Sequence, residues 1–255
     1  MEKTKVISVV SQKGGSGKSS TAIMAANYLA ALGESVLFMD TDYSNSATLY
    51  YLESNAGEKG FAESIKKGSV SGNIIPARRE NIDIVPSDKS IEGIRLKDRH
   101  TLLRLLEAES GPLSVYGYII IDTSQGYNLI TANAITASDL VLTPLMMCQF
   151  DLMSCMALRG KITEECGKYE AWHLFFNGTN RHILNPNSGS HQYMSLYKKT
   201  FSNCLNVYIP RTTAVVNAID RDMPITRKSS EKLYSAIRSL ASVIAGGEAG
   251  EAGAF

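Results

Sequence analysis

The sequence predicts a three-layer α/β sandwich built on a mainly parallel central sheet. Short runs that are apolar throughout recur along the chain, as strands buried on both faces require. Longer segments with apolar residues at helical spacing lie between them, and such alternation is the pattern of a helix-covered parallel sheet. The chemistry-bearing motifs follow directly on strand-like runs, and sheets of this kind bind ligands at the carboxyl ends of their strands.

The elements can be justified in order. Residues 6–10 are short and rich in valine and isoleucine, which suits a buried strand. Residues 19–32 carry Ile23, Ala26, Leu29 and Ala30 at helical spacing and stop at Gly33. Residues 36–39 and 82–85 are further strand candidates, the second ended by Pro86. Residues 91–106 have helical spacing through Ile94, Leu102, Leu105 and Leu106. Residues 118–121, 140–145, 174–176 and 207–209 complete the strands, and residues 179–190 read as a surface loop. One domain over residues 1–245 is expected, followed by a Gly/Ala/Glu-rich tail at 246–255 that is expected to be disordered.

The 255 residues carry 26 Lys+Arg against 25 Asp+Glu, a formal net charge of +1, with 44% hydrophobic and 20% charged residues. That balance excludes collagenous, coiled-coil and disordered classes. It also means that any nucleic-acid surface must come from basic residues gathered on one face. No run approaches the roughly 18 apolar residues of a membrane span, so no membrane partner is expected. Cys148, Cys155, Cys166 and Cys204 form no C-x-x-C pair and read as reduced thiols in a cytoplasmic protein.

Directly after the first strand comes Gln12-Lys13-Gly14-Gly15-Ser16-Gly17-Lys18-Ser19-Ser20, which opens a helix. Glycines let consecutive backbone N–H groups curl around phosphate oxygens, and the helix N-terminus adds partial positive charge. Gly14 to Ser20 are therefore the nucleotide-binding candidates. Lys18 reaches the β- and γ-phosphates of ATP, and Ser19 holds Mg²⁺. Gln12 stands where the strict pattern has glycine. Lys13, a second lysine at the start of the loop, is placed to extend to the nucleotide of a facing subunit. The fold is then of the P-loop NTPase type.

Two aspartates end strand-like runs. Asp122 follows Tyr118-Ile119-Ile120-Ile121 and is assigned to the Mg²⁺ site, acting through water; Asp40 follows Met39 and is assigned to orient or deprotonate the attacking water.

These residues resemble a known family. Residues 13–19 resemble the deviant Walker A motif of the ParA/MinD ATPases. Asp40-Thr41-Asp42 with Ala47-Thr48 is similar to that family's first switch, and residues 118–123 with Asn133-Ala134 and Ala137-Ser138-Asp139 resemble its Walker B and second-switch region. Ile209-Pro210-Arg211, followed by Met223-Pro224-Ile225, resembles the ParA segment that runs from I-P-R to K-P-I. The resemblance spans residues 5–245. It departs at Tyr43-Ser44, where the family has Pro-Gln, and at Ser124-Gln125, where it has Pro-Pro.

The resemblance implies a ParA/Soj-type partition ATPase: an ATP-sandwich homodimer that binds double-stranded DNA without sequence preference. A ParB-type centromere-binding partner would stimulate hydrolysis, and the protein would be associated with the nucleoid. Asn177 and Pro210 are the adenine contacts it implies. Residues 195–245 hold eight basic residues against three acidic ones, which makes Arg211, Arg227, Lys228 and Arg238 the DNA-binding candidates. The alternative is a ParA/MinD-like ATPase that positions another cargo, such as a protein cluster or division-site machinery. A nitrogenase-reductase-like protein would need cysteines before residue 148, and none is present.

Overall fold

The first apolar run forms β1 (Lys5–Val9), and it lies inside the sheet with a parallel neighbour on each side. The computed structural model describes residues 3–52, 59–87, 89–221, 223 and 225–247. The other strands are β2 (Val36–Thr41), β3 (Ile75–Pro76), β4 (Ile82–Val85), β5 (Tyr118–Thr123), β6 (Leu140–Leu145), β7 (Trp172–Thr179) and β8 (Cys204–Pro210). Among the described residues they form one sheet in the order β3-β4-β2-β5-β1-β6-β7-β8, parallel throughout except for the edge strand β3.

The expected three layers are present, and the strand side chains explain them. Ile7, Phe38 and Ile120 face one layer, while Val6, Leu37, Met39, Ile119 and Ile121 face the other. Both sets are buried, which is why each strand reads as apolar throughout rather than alternating. The first layer holds α1 (Lys18–Ala31), α2 (Ser46–Tyr51) and, beyond the second-layer helices in sequence, α9 (Thr213–Asp220) and α10 (Glu231–Ala245). The second holds α3 (Phe61–Lys67), α4 (Thr101–Ala108), α5 (Ser110–Leu113), α6 (Leu129–Ala137), α7 (Gln149–Gly160) and α8 (Gly189–Thr200).

Helix α1 begins one residue before the expected position, at Lys18, and its end before Gly33 agrees with the sequence reading. The expected helix over residues 91–106 is broken. A 3₁₀ turn covers Lys89–Gly93, and α4 starts only at Thr101. Asp98 causes the break: its carboxylate accepts the His100 N–H at 2.8 Å and closes a local turn that competes with helix. The loop expected over 179–190 contains a 3₁₀ turn at Arg181–Leu184 and ends in the start of α8. Edge strand β3 is too short to leave a periodic signal. Residues 248–255 of the expected tail lie outside the described residues.

Candidate nucleotide site

The carboxyl ends of β1, β2 and β5 deliver the site. Register pairs Asp40 with Asp122 across β2 and β5, and Val9 with Asp122 across β1 and β5, so the loop and both acids emerge at one level. Thr41 Oγ1 donates to the Asp122 carbonyl at 2.7 Å, and Thr123 Oγ1 donates to the Val9 carbonyl at 2.8 Å. These bonds hold the three strand ends together beyond the last ladder bonds.

After β1 the loop turns into α1 through Gly17, whose φ of +88° is the left-handed region that glycine adopts without strain. A Cβ at Gly17 would also collide with the Asn177 amide. That amide donates to the Ser16 carbonyl at 2.7 Å, so β7 braces the loop from below. Asn177 is thus in the site, with Nδ2 committed to the loop. Pro210 closes β8 next to it, paired with Thr179.

Lys18 is buried at the first turn of α1. Burial lowers its pKa, and the nearby Asp122 and Asp42 carboxylates oppose that shift. Asp122 is completely buried, and neither carboxylate oxygen has a hydrogen-bond partner of ordinary geometry. Burial raises its pKa well above the usual range, with the charges of Asp40 and Asp42 pushing the same way and Ser19 opposing. A buried, doubly unpartnered carboxylate beside Ser19 and Lys18 is what a hard divalent cation needs, so the donor set fits Mg²⁺.

Asp40 is also completely buried, but its oxygens are engaged. Oδ1 accepts the Asp42 N–H at 3.0 Å; Oδ2 accepts the Thr48 N–H and hydroxyl, both at 2.8 Å. The Thr48 hydroxyl in turn accepts the Ser87 N–H at 2.8 Å. Burial pushes the Asp40 carboxyl up to about 6 despite these bonds. The aspartate therefore clasps the start of α2 through Thr48, a role that the sequence reading did not give it.

A cleft of about 300 Å³ lies over the loop, lined by Gly14, Gly15, Gly17, Lys18, Ser19 and Ser20 together with Asp42, Tyr43, Ser44 and Gln125. Three of the four departures from the family pattern, Tyr43, Ser44 and Gln125, therefore stand in its wall. Gln125 packs so closely on the loop that a Cβ at Gly14 would strike its amide oxygen.

Lys13 lies apart from the phosphate cradle. Its ammonium donates to Cys148 Sγ at 3.3 Å, at the amino end of α7. Its charge lowers the pKa of Asp151, against a larger upward push from burial. Asp151 also accepts from Met146 N and the Tyr197 hydroxyl, each at 2.8 Å. The sequence reading missed Asp151; an acid in the first turn after the sixth strand was the available signal.

The four basic candidates are all exposed. Arg227 stacks on Tyr234 with its guanidinium 5.6 Å from the ring centroid, and both Arg227 and Arg238 act on the pKa of the adjoining Tyr28. These two share the α1–α10 surface. Arg211 instead follows β8, with its N–H on the Thr179 carbonyl at 2.7 Å.

Comparison with known proteins agrees with this fold. The AAA_31 family profile, described as an AAA domain, matches residues 4–166. The chromosome partitioning protein ParA of Caulobacter vibrioides is 31% identical over 156 residues, which is 57% of this chain and 57% of that protein. This chain thus matches less than two thirds of the length of that relative. Among solved structures, a Cyanothece McdA–ATP complex superposes with a TM-score of 0.82 at 19% identity, covering 97% of this chain and 98% of that one. A plasmid partition protein of Borrelia burgdorferi bound to AMPPNP superposes with a TM-score of 0.76 at 24% identity, covering 93% and 98%.

Proposed function

The chain belongs to the AAA_31 family of AAA domains, and from that membership we propose that it is a ParA/Soj-type ATPase for DNA partition. The observation that carries the reading is the unpartnered Asp122 carboxylate beside Lys18 and Ser19, at the foot of a glycine loop on a helix N-terminus. That arrangement suits a magnesium–triphosphate substrate, and ATP is the nucleotide proposed.

In hydrolysis, Lys18 stabilises charge on the β- and γ-phosphates, and the loop N–H groups from Gly14 to Ser20 orient them. Ser19 and Asp122 hold Mg²⁺, which neutralises phosphate charge when bound. Asp40 orients the attacking water. A carboxylate offers about four lone-pair sites, so its three hydrogen bonds leave one for that task. Asn177 presents Oδ1 to the adenine, and Pro210 supplies an apolar edge.

Lys13 completes the active site of a second subunit in an ATP-bound homodimer. To do so it leaves Cys148. Beside it, α7 exposes Phe150 and Met153 at 76% and 61%, and an apolar surface of that kind favours association. The dimer doubles the basic surface of Arg211, Arg227, Lys228 and Arg238, which holds DNA through phosphate contacts alone. A ParB-type partner stimulates turnover, and the cytoplasmic protein spends its ATP-bound time on the nucleoid. No described helix is long and apolar enough to cross a membrane.

The test is retention on double-stranded DNA with Mg²⁺ and ATP, ADP or no nucleotide, alongside phosphate release. Retention with ATP alone, lost in Lys13→Ala, is the expected result. Equal retention in all three states overturns the DNA assignment, and absence of phosphate release with DNA present overturns the ATPase assignment. Tyr43, Ser44 and Gln125 in the cleft wall favour one second reading, a ParA/MinD-like ATPase that positions another cargo. Turnover without any DNA retention would favour that reading.

A further inference from the structure

The loop after β5 carries a side chain that the hydrolysis proposed above leaves idle. Gln125 stands three residues past Asp122 and is exposed in the wall of the cleft over the phosphate loop. Its amide oxygen packs on Gly14 where a Cβ would lie. At the other end of the loop, the Asn177 amide packs in the same way on Gly17. The two amides thus mark the two ends of the loop, and they differ in what they are free to do. Asn177 donates to the Ser16 carbonyl at 2.7 Å, whereas Gln125 has no hydrogen bond to any described residue.

The backbone on either side of Gln125 is pinned. Thr123 Oγ1 donates to the Val9 carbonyl at 2.8 Å, and the Gly126 N–H donates to the Ser11 carbonyl at 3.2 Å. Ser124 is buried between these two bonds. The base of the glutamine is therefore held against the loop before any nucleotide arrives, and a group already in position needs no reorganisation during reaction.

Position along the loop decides which phosphate the amide meets. Asn177 lies at the end given to adenine. Gln125 lies at the opposite end, in one cleft with Lys18, Asp42, Tyr43 and Ser44. Lys18 serves the β- and γ-phosphates, so the terminal phosphate is the part of the nucleotide that faces Gln125.

A second acceptor for the attacking water is needed there. Water that attacks phosphorus turns a lone pair towards it and its two hydrogens away. Asp40 already accepts three hydrogen bonds, which leaves it one position and therefore one of those hydrogens. A glutamine amide offers an oxygen that accepts and an NH₂ that donates. Glutamine orients the attacking water in other phosphate-loop enzymes.

We propose that Gln125 is a further catalytic residue, whose Oε1 accepts the second hydrogen of the attacking water and whose Nε2 donates to an oxygen of the terminal phosphate. The assignment rests on the ATPase reading. The water oxygen bonds to the γ-phosphorus. The bond from that phosphorus to the β–γ bridging oxygen breaks, and its electron pair leaves on ADP. One water proton passes to Asp40 and on to solvent; the other stays on inorganic phosphate.

The test compares the wild type with Gln125→Ala and Gln125→Glu. Phosphate release is followed with double-stranded DNA present. Equilibrium binding is measured for AMPPNP, ADP and ADP–aluminium fluoride, in which the metal fluoride stands for the transferring phosphoryl group. Gln125→Ala should lower kcat by about 100-fold, the typical effect of removing one hydrogen-bonding group aimed at the transition state. KM and the affinities for AMPPNP and ADP should stay unchanged, while binding of ADP–aluminium fluoride weakens with kcat. Gln125→Glu sets a like charge beside the terminal phosphate and should weaken AMPPNP relative to ADP by about fivefold or more. Unchanged turnover in Gln125→Ala, beside a wild type that turns over, overturns this assignment and leaves the ATPase reading standing. Equal weakening of all three nucleotides in Gln125→Ala would mark a brace for the loop and overturns it as well, as does an equal effect of Gln125→Glu on AMPPNP and ADP. No phosphate release by the wild type overturns the ATPase reading itself, and this assignment with it.

Discussion

Lys18 and Lys13 differ in their surroundings, and their substitutions should differ accordingly. Lys18→Ala removes a buried cation facing Asp122, so nucleotide binding itself should be lost in equilibrium titration. Lys13→Ala removes a side chain resting on Cys148, so binding should persist while turnover and ATP-dependent dimerisation disappear in phosphate-release and light-scattering measurements. Asp40→Ala should retain ATP and accumulate as dimer in the same scattering measurement. Thr48→Val leaves both Asp40 and the Ser87 N–H short of a partner, at a cost of about 2–3 kcal/mol in urea unfolding. The buried acids also set a pH dependence. Asp40 titrates at about 6 in the folded chain, above its unfolded value, so the folded form binds the extra proton. Its contribution to stability is complete below about pH 4 and is lost as the pH rises through about 6. The nucleotide-free protein should therefore lose stability over that window, and Asp40→Asn should flatten the profile. The loop, Asp40 and Asp122 were legible in the sequence because each follows an apolar run. The bonds from Thr48 and Asn177 were not, because they join residues that no local spacing relates.

At the scale of elements, the loop-to-helix turn is less tolerant than the loop itself. Gly17→Ala forces a left-handed residue and a collision with Asn177, so it should cost about 1–3 kcal/mol in stability and lose nucleotide affinity. Gly14→Ala meets only the end of the Gln125 side chain, which can move, so the fold should hold. Any loss of affinity in Gly14→Ala should be relieved by Gln125→Ala, and a double-mutant cycle of nucleotide affinities reads that coupling. The strands were visible in the sequence because those paired on both sides are buried on both faces. Helix α4 was misread because Asp98 supplies a local turn inside a pattern that is otherwise periodic. Edge strand β3 left no pattern at all, having two residues.

For the whole molecule, near-neutral net charge coexists with basic residues on its surface. Charge reversal at Arg227 or Arg238, which share the α1–α10 surface, should weaken ATP-dependent DNA retention and reduce its salt dependence. ATP binding should be unchanged in both, since neither lines the cleft. Arg211 tests whether the surface extends to the end of β8. The order of strands carries one more consequence. The phosphate loop is made before its brace, because its Ser16 carbonyl waits for an amide 161 positions later. On the ribosome those 161 positions must emerge before that bond can close. A nascent chain released short of β7 would carry the whole loop motif and still lack its brace, so productive nucleotide capture follows the synthesis of β7.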